Sequence, residues 1–211
     1  MADQEGVIKF RLRHRFSQAC ELDYIRQLNP WRSILYRLGL IGQDPVRYDG
    51  LGFGNISQRL TGTGKPTFII SGTQTGGKPQ LIPEDYTVVF EADPQRNVIE
   101  SKGPIKPSSE ALTHAAVYDA APHVRCVIHV HCPEIWQSTR ALMLPSTTSE
   151  IGYGTPEMAH SVSRLFKTGQ LDRINVFTML GHEDGVVAFG ETAEAASLEL
   201  IRHLALAFSV G

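Results

Sequence analysis

The run Cys126-Val127-Ile128-His129-Val130-His131-Cys132-Pro133 constrains the fold more than any other stretch of this chain. Side chains on a strand alternate between faces, so His129 and His131 point one way while Ile128 and Val130 point the other. A strand in an apolar sheet rarely tolerates two such polar groups unpartnered, because each costs roughly 1–3 kcal/mol when buried alone. Two neutral ring nitrogens on one face form half of a metal site. The plainer alternative is one hydrogen-bonded core histidine and one exposed by chance.

The flanking segments supply the layers around that strand. Residues 17–40 read as helical, with Cys20, Tyr24, Leu28, Trp31, Ile34, Leu35 and Leu38 at apolar positions. Asn29-Pro30 suits an N-cap followed by Pro at the first helical position, which leaves two helices in sequence open. Strands are expected at Ile56 to Leu60, Thr67 to Ile70 and Thr87 to Phe90, the last followed by a turn at Asp93-Pro94. Ser108 to Asp119 reads as a helix with Leu112, Ala115 and Ala116 inward. Thr155-Pro156-Glu157 starts another, which stops at Gly169. Ile174 to Leu180 and Val186 to Phe189 form two strands joined across Gly181-His182-Glu183-Asp184-Gly185. Thr192 caps a last helix with Ala195, Leu198, Ile201, Ala205 and Phe208 on one face. Hairpins alternating with helical crossovers argue a mixed sheet covered by helices on both sides.

The 211 residues suffice for one core, and residues 1–211 are read as a single domain without repeat or linker. A net charge of −2 gives no electrostatic reason to expect a nucleic acid or an anionic membrane as partner. No apolar run is long enough for a signal peptide or a bilayer span. The three cysteines make no disulfide framework or zinc ribbon, so a cytoplasmic protein is expected.

Two more side chains complete a candidate metal centre. His182 sits in the turn after an apolar strand, and Glu110 opens the helix leading toward the histidine strand. Three histidines and a carboxylate suit Zn²⁺ or a similar divalent ion, with Glu110 as fourth ligand or base. Taken alone, His182 is equally a solvated turn residue and Glu110 a favourable charge at a helix N-terminus. Three Gly/Ser-rich segments read as anion cradles: Gly52 to Ser57, Ser71 to Gly77, and Lys106 to Ser109. A phosphate held near a Lewis-acidic ion implies a small phosphorylated carbonyl or hydroxy-carbonyl substrate.

In order along the chain, Gly54-Asn55-Ile56-Ser57 with Arg59, Ser71-Gly72-Thr73, and Pro107-Ser108-Ser109-Glu110 with His114 and Tyr118 are followed by three further motifs. These are His129-Val130-His131, Tyr153-Gly154-Thr155-Pro156-Glu157-Met158, and His182 before Gly185-Val186-Val187-Ala188-Phe189-Gly190. Together, over roughly residues 18 to 208, they resemble the class II aldolase/adducin family. The resemblance implies a three-layer αβα sandwich with a mixed, mainly antiparallel central sheet. It implies that His129, His131 and His182 bind the metal, most often Zn²⁺. Glu110 would ligate the ion at rest and act as base with substrate present. Asn55, Ser71, Gly72, Ser108 and Ser109 would hold a substrate phosphate. The implied activity is aldol cleavage through a metal-stabilised enediolate, with Tyr153 the candidate second acid/base, in a homotetramer. A dehydratase or epimerase on the same scaffold, or a non-catalytic adducin-like module, are the alternatives.

The chain departs from the family pattern at three places. Glu183 and Asp184 stand between His182 and Gly185, where the usual pattern has Gly directly after His; a role in the turn is the expected one. The chain stops at Gly211, so the tail that carries a catalytic tyrosine in some aldolases is expected to be missing. Gly52 stands where sugar-phosphate aldolases often place a hydroxyl residue.

Overall fold

The computed structural model describes residues 6–19, 22–60 and 66–210. Cys20, placed in the first helix by its apolar spacing, lies outside them. The elements run β1 (Arg11–Phe16), α1 (Leu22–Arg37), β2 (Gly42–Gln43), β3 (Gly52–Phe53), β4 (Asn55–Arg59), β5 (Phe68–Ser71), β6 (Tyr86–Asp93) and β7 (Val98–Gly103). They continue with α2 (Ala111–Ala120), β8 (Cys126–His131), α3 (Pro133–Gln137), β9 (Ser146–Thr147), α4 (Pro156–Lys167), β10 (Val176–Met179), β11 (Gly185–Gly190) and α5 (Ala193–Val210). Among the described residues, nine strands form one sheet in the order β1-β7-β6-β5-β4-β8-β11-β10-β9. Only the outermost pairs, β1 with β7 and β10 with β9, are parallel. The mainly antiparallel sheet of the expected three-layer sandwich is therefore present.

Period-two alternation sorts the core onto the two faces of this sheet. On one side Val127, Phe177, Val187 and Phe189 pack with Leu112 and Ala116 of α2 and with Met158 and Val162 of α4. On the other, Ile128, Val130, Val186 and Ala188 pack with Leu28 and Leu35 of α1 and with Leu200 of α5. Every residue of β8 is buried. His129 and His131 thus enter the α2/α4 side of a strand covered on both faces. Among the described residues, no helix is long and apolar enough to cross a membrane.

Most expected elements fall where the turn chemistry puts them. Thr155 caps α4 by accepting a hydrogen bond from the Met158 amide at 3.2 Å. The Asp93 side chain accepts from the Arg96 amide at 3.0 Å and closes the β6–β7 turn. β1 and β7 carry no strand signal in their local sequence. β1 alternates Arg11, Arg13 and Arg15 outward, as an edge strand protected by charge does. α1 is one helix, with Pro30 inside it, rather than two. The reason lies in Asn29. Its amide donates to the Leu81 carbonyl at 2.7 Å and its oxygen accepts from the Tyr86 hydroxyl at 2.7 Å, so the side chain ties α1 to the loop before β6 and caps nothing.

The buried face of α5 also differs from expectation. Ala193, Ala196, Ser197, Leu200, His203 and Ala207 face inward, while Leu198 and Phe208 are exposed at 49% and 67%. Apolar residues lie on several sides of the helix and two of the inward ones, Ser197 and His203, are polar, so hydropathy alone does not choose its face. Close approach to β11 does, and it selects small residues: a Cβ on Gly190 would stand 3.0 Å from that of Ala195 and 3.2 Å from the Ala196 nitrogen. Leu200→Ala should therefore cost about 2–5 kcal/mol in urea unfolding, and Phe208→Ala less than about 0.5 kcal/mol. The reverse order would restore the face expected from spacing.

Candidate metal centre and anion cradle

Strand register brings the first two ligand candidates together. His129 lies opposite Asn55 of β4 and Val187 of β11, and His131 opposite Gly185. The turn after β10 delivers His182 to the same point. Ring centroids are 5.0 Å apart for His129 and His131, 5.1 Å for His129 and His182, and 4.8 Å for His131 and His182. One nitrogen from each ring lies within 4.8 Å of the others, and Nε2 of His131 and His182 are 3.0 Å apart. Glu110, the residue just before α2, places Oε1 4.0 Å from His182 Nε2.

The electrostatics of this cluster suit a bound cation. Burial lowers His129 to about 4. Burial, and then the neighbouring rings, hold His131 and His182 well below the usual imidazole value. All three are neutral near pH 7 and present lone pairs. Burial pushes the Glu110 carboxyl up to about 7. Both Glu110 oxygens and both His129 ring nitrogens are buried without a hydrogen-bond partner. Orphaned buried polar atoms are rare in folded proteins. A divalent cation would satisfy the Glu110 carboxylate and one nitrogen of the His129 ring, so the donor set fits the metal.

Beneath the centre, Ser57 Oγ bridges His114 Nδ1 and the Tyr118 hydroxyl, each at 2.7 Å. His114 follows Glu110 by one helical turn, so this buried chain braces the face of α2 that carries the carboxylate. Tyr153 is fully buried, with its ring edge-on to His182 at 4.5 Å. Its hydroxyl points elsewhere. It accepts from the Val7 amide at 3.0 Å and donates to the Val7 carbonyl at 3.3 Å. The segment before β1 thus lies over the centre, and Lys9 Nζ sits 3.8 Å above the Tyr153 ring.

The three Gly/Ser-rich segments converge. Asn55, Gly72, Ser108 and Ser109 line one small cavity of about 10 Å³ together with Gly52 and Gly76. Ser71 lies behind it, its hydroxyl accepting from the Ile56 amide at 3.2 Å. Gly72 has no room for a side chain, since a Cβ would meet Ile105 at 2.5 Å. Arg32, at 2% exposure, shapes the loop from below by donating to the Thr75 and Gly76 carbonyls, both at 3.0 Å. The Gln74 side chain already occupies the cradle's rim, accepting from the Gly52 amide at 3.1 Å. Gly6 packs against that side chain so closely that a Cβ there would stand 1.9 Å from Gln74 Nε2.

Outside the triad a cleft of about 980 Å³ opens onto His131 and His182, walled by Lys9, Arg47, Tyr48 and Trp136. Arg47, Tyr48 and Lys9 carry no motif, and nothing in sequence spacing ties them to the histidines.

The family model for the Class II Aldolase and Adducin N-terminal domain matches residues 46–207. The chain belongs to the class II aldolase and adducin family. Its fold is similar to that of an L-fuculose-1-phosphate aldolase from Thermus thermophilus, with a TM-score of 0.63 and 20% identity over 88% of this chain and 91% of that one. A putative aldolase/epimerase/decarboxylase from Klebsiella pneumoniae has a TM-score of 0.63 at 20% identity, with 89% of each chain covered. Human beta-adducin is 32% identical in an alignment 111 residues long that covers 46% of this chain and 14% of that protein.

Proposed function

We propose that the protein is a metal-dependent lyase that cleaves a small phosphorylated hydroxy-carbonyl compound. One observation carries this reading: three neutral, buried imidazoles converge beside a buried carboxyl that titrates near neutrality. His129, His131 and His182 would hold the ion, with Zn²⁺ the first candidate and Glu110 beside it. When bound, such an ion supplies Lewis acidity toward the oxygens of a hydroxy-carbonyl substrate. Glu110 moves the proton on or off the carbon next to the carbonyl, as a carboxylate placed beside the ion can. Asn55, Gly72, Ser108 and Ser109 orient the phosphate, and Ser71 holds the β4 backbone against them. The Tyr153 hydroxyl is engaged by Val7, so we assign Tyr153 to packing His182 rather than to proton transfer.

The outward apolar residues of α5 (Leu198, Leu206, Phe208 and Val210) support a homo-oligomer, of which a tetramer is the expected form. The free buried thiols Cys126 and Cys132 support a reducing, cytoplasmic setting. The reach of the family model supports a single domain.

Metal-loaded protein should release dihydroxyacetone phosphate from one member of a ketose-phosphate panel, and chelation should abolish the release. A panel without turnover in the presence of bound metal would count against cleavage. A non-catalytic module, favoured by the beta-adducin similarity, would bind no metal stoichiometrically. The cradle gives a sharper test. A phosphate there must displace the Gln74 amide, so Gln74→Ala should lower KM for a phosphorylated substrate about 2- to 10-fold, the equivalent of one hydrogen bond. An unchanged KM would place the phosphate elsewhere.

A further inference from the structure

Among the described residues, three with left-handed backbone and a full side chain meet beside the histidine triad: Tyr48 at φ +53°, Asp49 at φ +56° and Asp184 at φ +60°. Such conformations cost about 1–3 kcal/mol each and persist where the surroundings hold them. Here one carboxylate does the holding. Asp184 Oδ2 accepts from the Tyr48 hydroxyl at 2.5 Å and from the Arg47 guanidinium at 3.1 Å. Arg47 also donates to the Tyr48 hydroxyl.

The turn itself needs none of this. Its backbone is closed by the Gly185 amide donating to the His182 carbonyl at 2.9 Å and by the Cys132 amide donating to the Asp184 carbonyl at 2.8 Å. Asp184 is buried while its neighbour Glu183 is exposed, so the two acidic residues that interrupt the family pattern do different things. Asp184 reaches 136 residues back to a loop with which the turn has no other sequence relation.

The consequence falls on the triad. The Tyr48 ring stands edge-on to His131 at 4.4 Å, and Phe53, itself 5.1 Å from Tyr48, closes the same side at 5.3 Å. His131 is thereby flanked by two aromatic rings as well as by His182. The Asp184 carboxylate connects to His131 through the Tyr48 ring and to His182 through two residues of backbone. We propose that Asp184, acting through Tyr48 and Arg47, is a positioning clasp that fixes His131 and His182 relative to each other and so sets the metal affinity of the triad. The proposal rests on the reading of the triad as a metal centre, and it assigns Asp184 and Tyr48 no contact with the reacting atoms. Residues that orient metal ligands from behind commonly change affinity about 10- to 100-fold when altered.

Cobalt(II) is the probe, since its d–d absorption reports ligand geometry independently of turnover. Its affinity is read by competition with a chromophoric chelator. Tyr48→Phe and Asp184→Ala should each weaken Co²⁺ binding about 10-fold or more and alter the d–d bands. The double variant should cost less than the sum of the two single changes, because both remove the hydrogen bond between Tyr48 and Asp184. Asp184→Asn should recover part of the affinity, as an amide oxygen still accepts from the Tyr48 hydroxyl. Glu183→Gln, which removes the same charge one residue away, should bind Co²⁺ with wild-type affinity and spectrum. Tyr48→Phe keeps the ring and tests the clasp even where Asp184→Ala does not fold. Wild-type affinity and bands in Tyr48→Phe, and in Asp184→Ala where it folds, would overturn the clasp while leaving the metal centre standing. A wild-type protein that takes up no cobalt would remove the metal reading and the clasp with it.

Discussion

Glu110→Gln is expected to stabilise the metal-free protein and, in the same molecule, to abolish turnover. Burial raises this carboxyl from 4.5 to about 7 in the folded protein, so the folded state holds the proton more tightly than the unfolded chain. The stabilisation it contributes is fully present below pH 4.5 and is lost as the pH rises through about 7. At about 1.4 kcal/mol per unit, an ionised Glu110 costs the metal-free fold up to roughly 3 kcal/mol at about pH 8. Glutamine has nearly the same shape and no charge to desolvate. Urea unfolding should show the variant ahead by about 1–3 kcal/mol at about pH 8 and level with wild type at about pH 4. Activity of the metal-loaded variant should fall about 10²- to 10⁴-fold, the usual contribution of a positioned acid/base. A variant that gains no stability in the alkaline measurement would contradict the burial argument, and one that keeps its turnover would free Glu110 from catalysis.

Replacing His131 by Ala should uncouple the protein from metal altogether. A ligand at about 100 times its Kd stabilises a fold by about 2.7 kcal/mol, so wild type should unfold later with metal than with chelator. The variant should show no such difference and carry no stoichiometric metal by elemental analysis. Its turnover should drop at least roughly 1,000-fold, since the ion is asked for several kcal/mol of charge stabilisation. His129 supplies the accompanying pH signature. Burial lowers it from 6.5 to about 4, so the stability tied to its neutral form is complete above pH 6.5 and lost as pH falls through about 4. Metal-free wild type should therefore weaken in that acid window, and His129→Ala should weaken less. A His131→Ala protein that still binds one equivalent of metal and turns over would end the triad reading.

Spacing alone placed a good part of this molecule. The i, i+2 histidines of β8 share a face because strand geometry leaves no other arrangement, and the cap at Thr155 and the stop at Gly169 depend only on neighbours in the chain. Position in a turn and at a helix start offered His182 and Glu110 as companions of that pair, the resemblance carried by motif order gave them roles, and the structure brings the three rings together with Glu110 beside them. Local signals failed where a side chain's partner is remote. Asn29 reads as a cap until Tyr86 and Leu81 claim its amide. β1 and β7 are too polar to announce themselves, and they exist because an edge of the sheet pairs with them.

What the amino-acid order determined by itself was the alternation of strands and helices, the polar face of β8 and the chemistry available there. Those depend on backbone periodicity and on residue type, which act over a few residues. Only the tertiary structure decided which face of α5 is buried, that the Tyr153 hydroxyl turns to Val7, and that Asp184 closes on Tyr48. Each of those choices is made by the closeness of packing between segments far apart in the chain, where hydropathy does not decide and sub-ångström fit selects the partner.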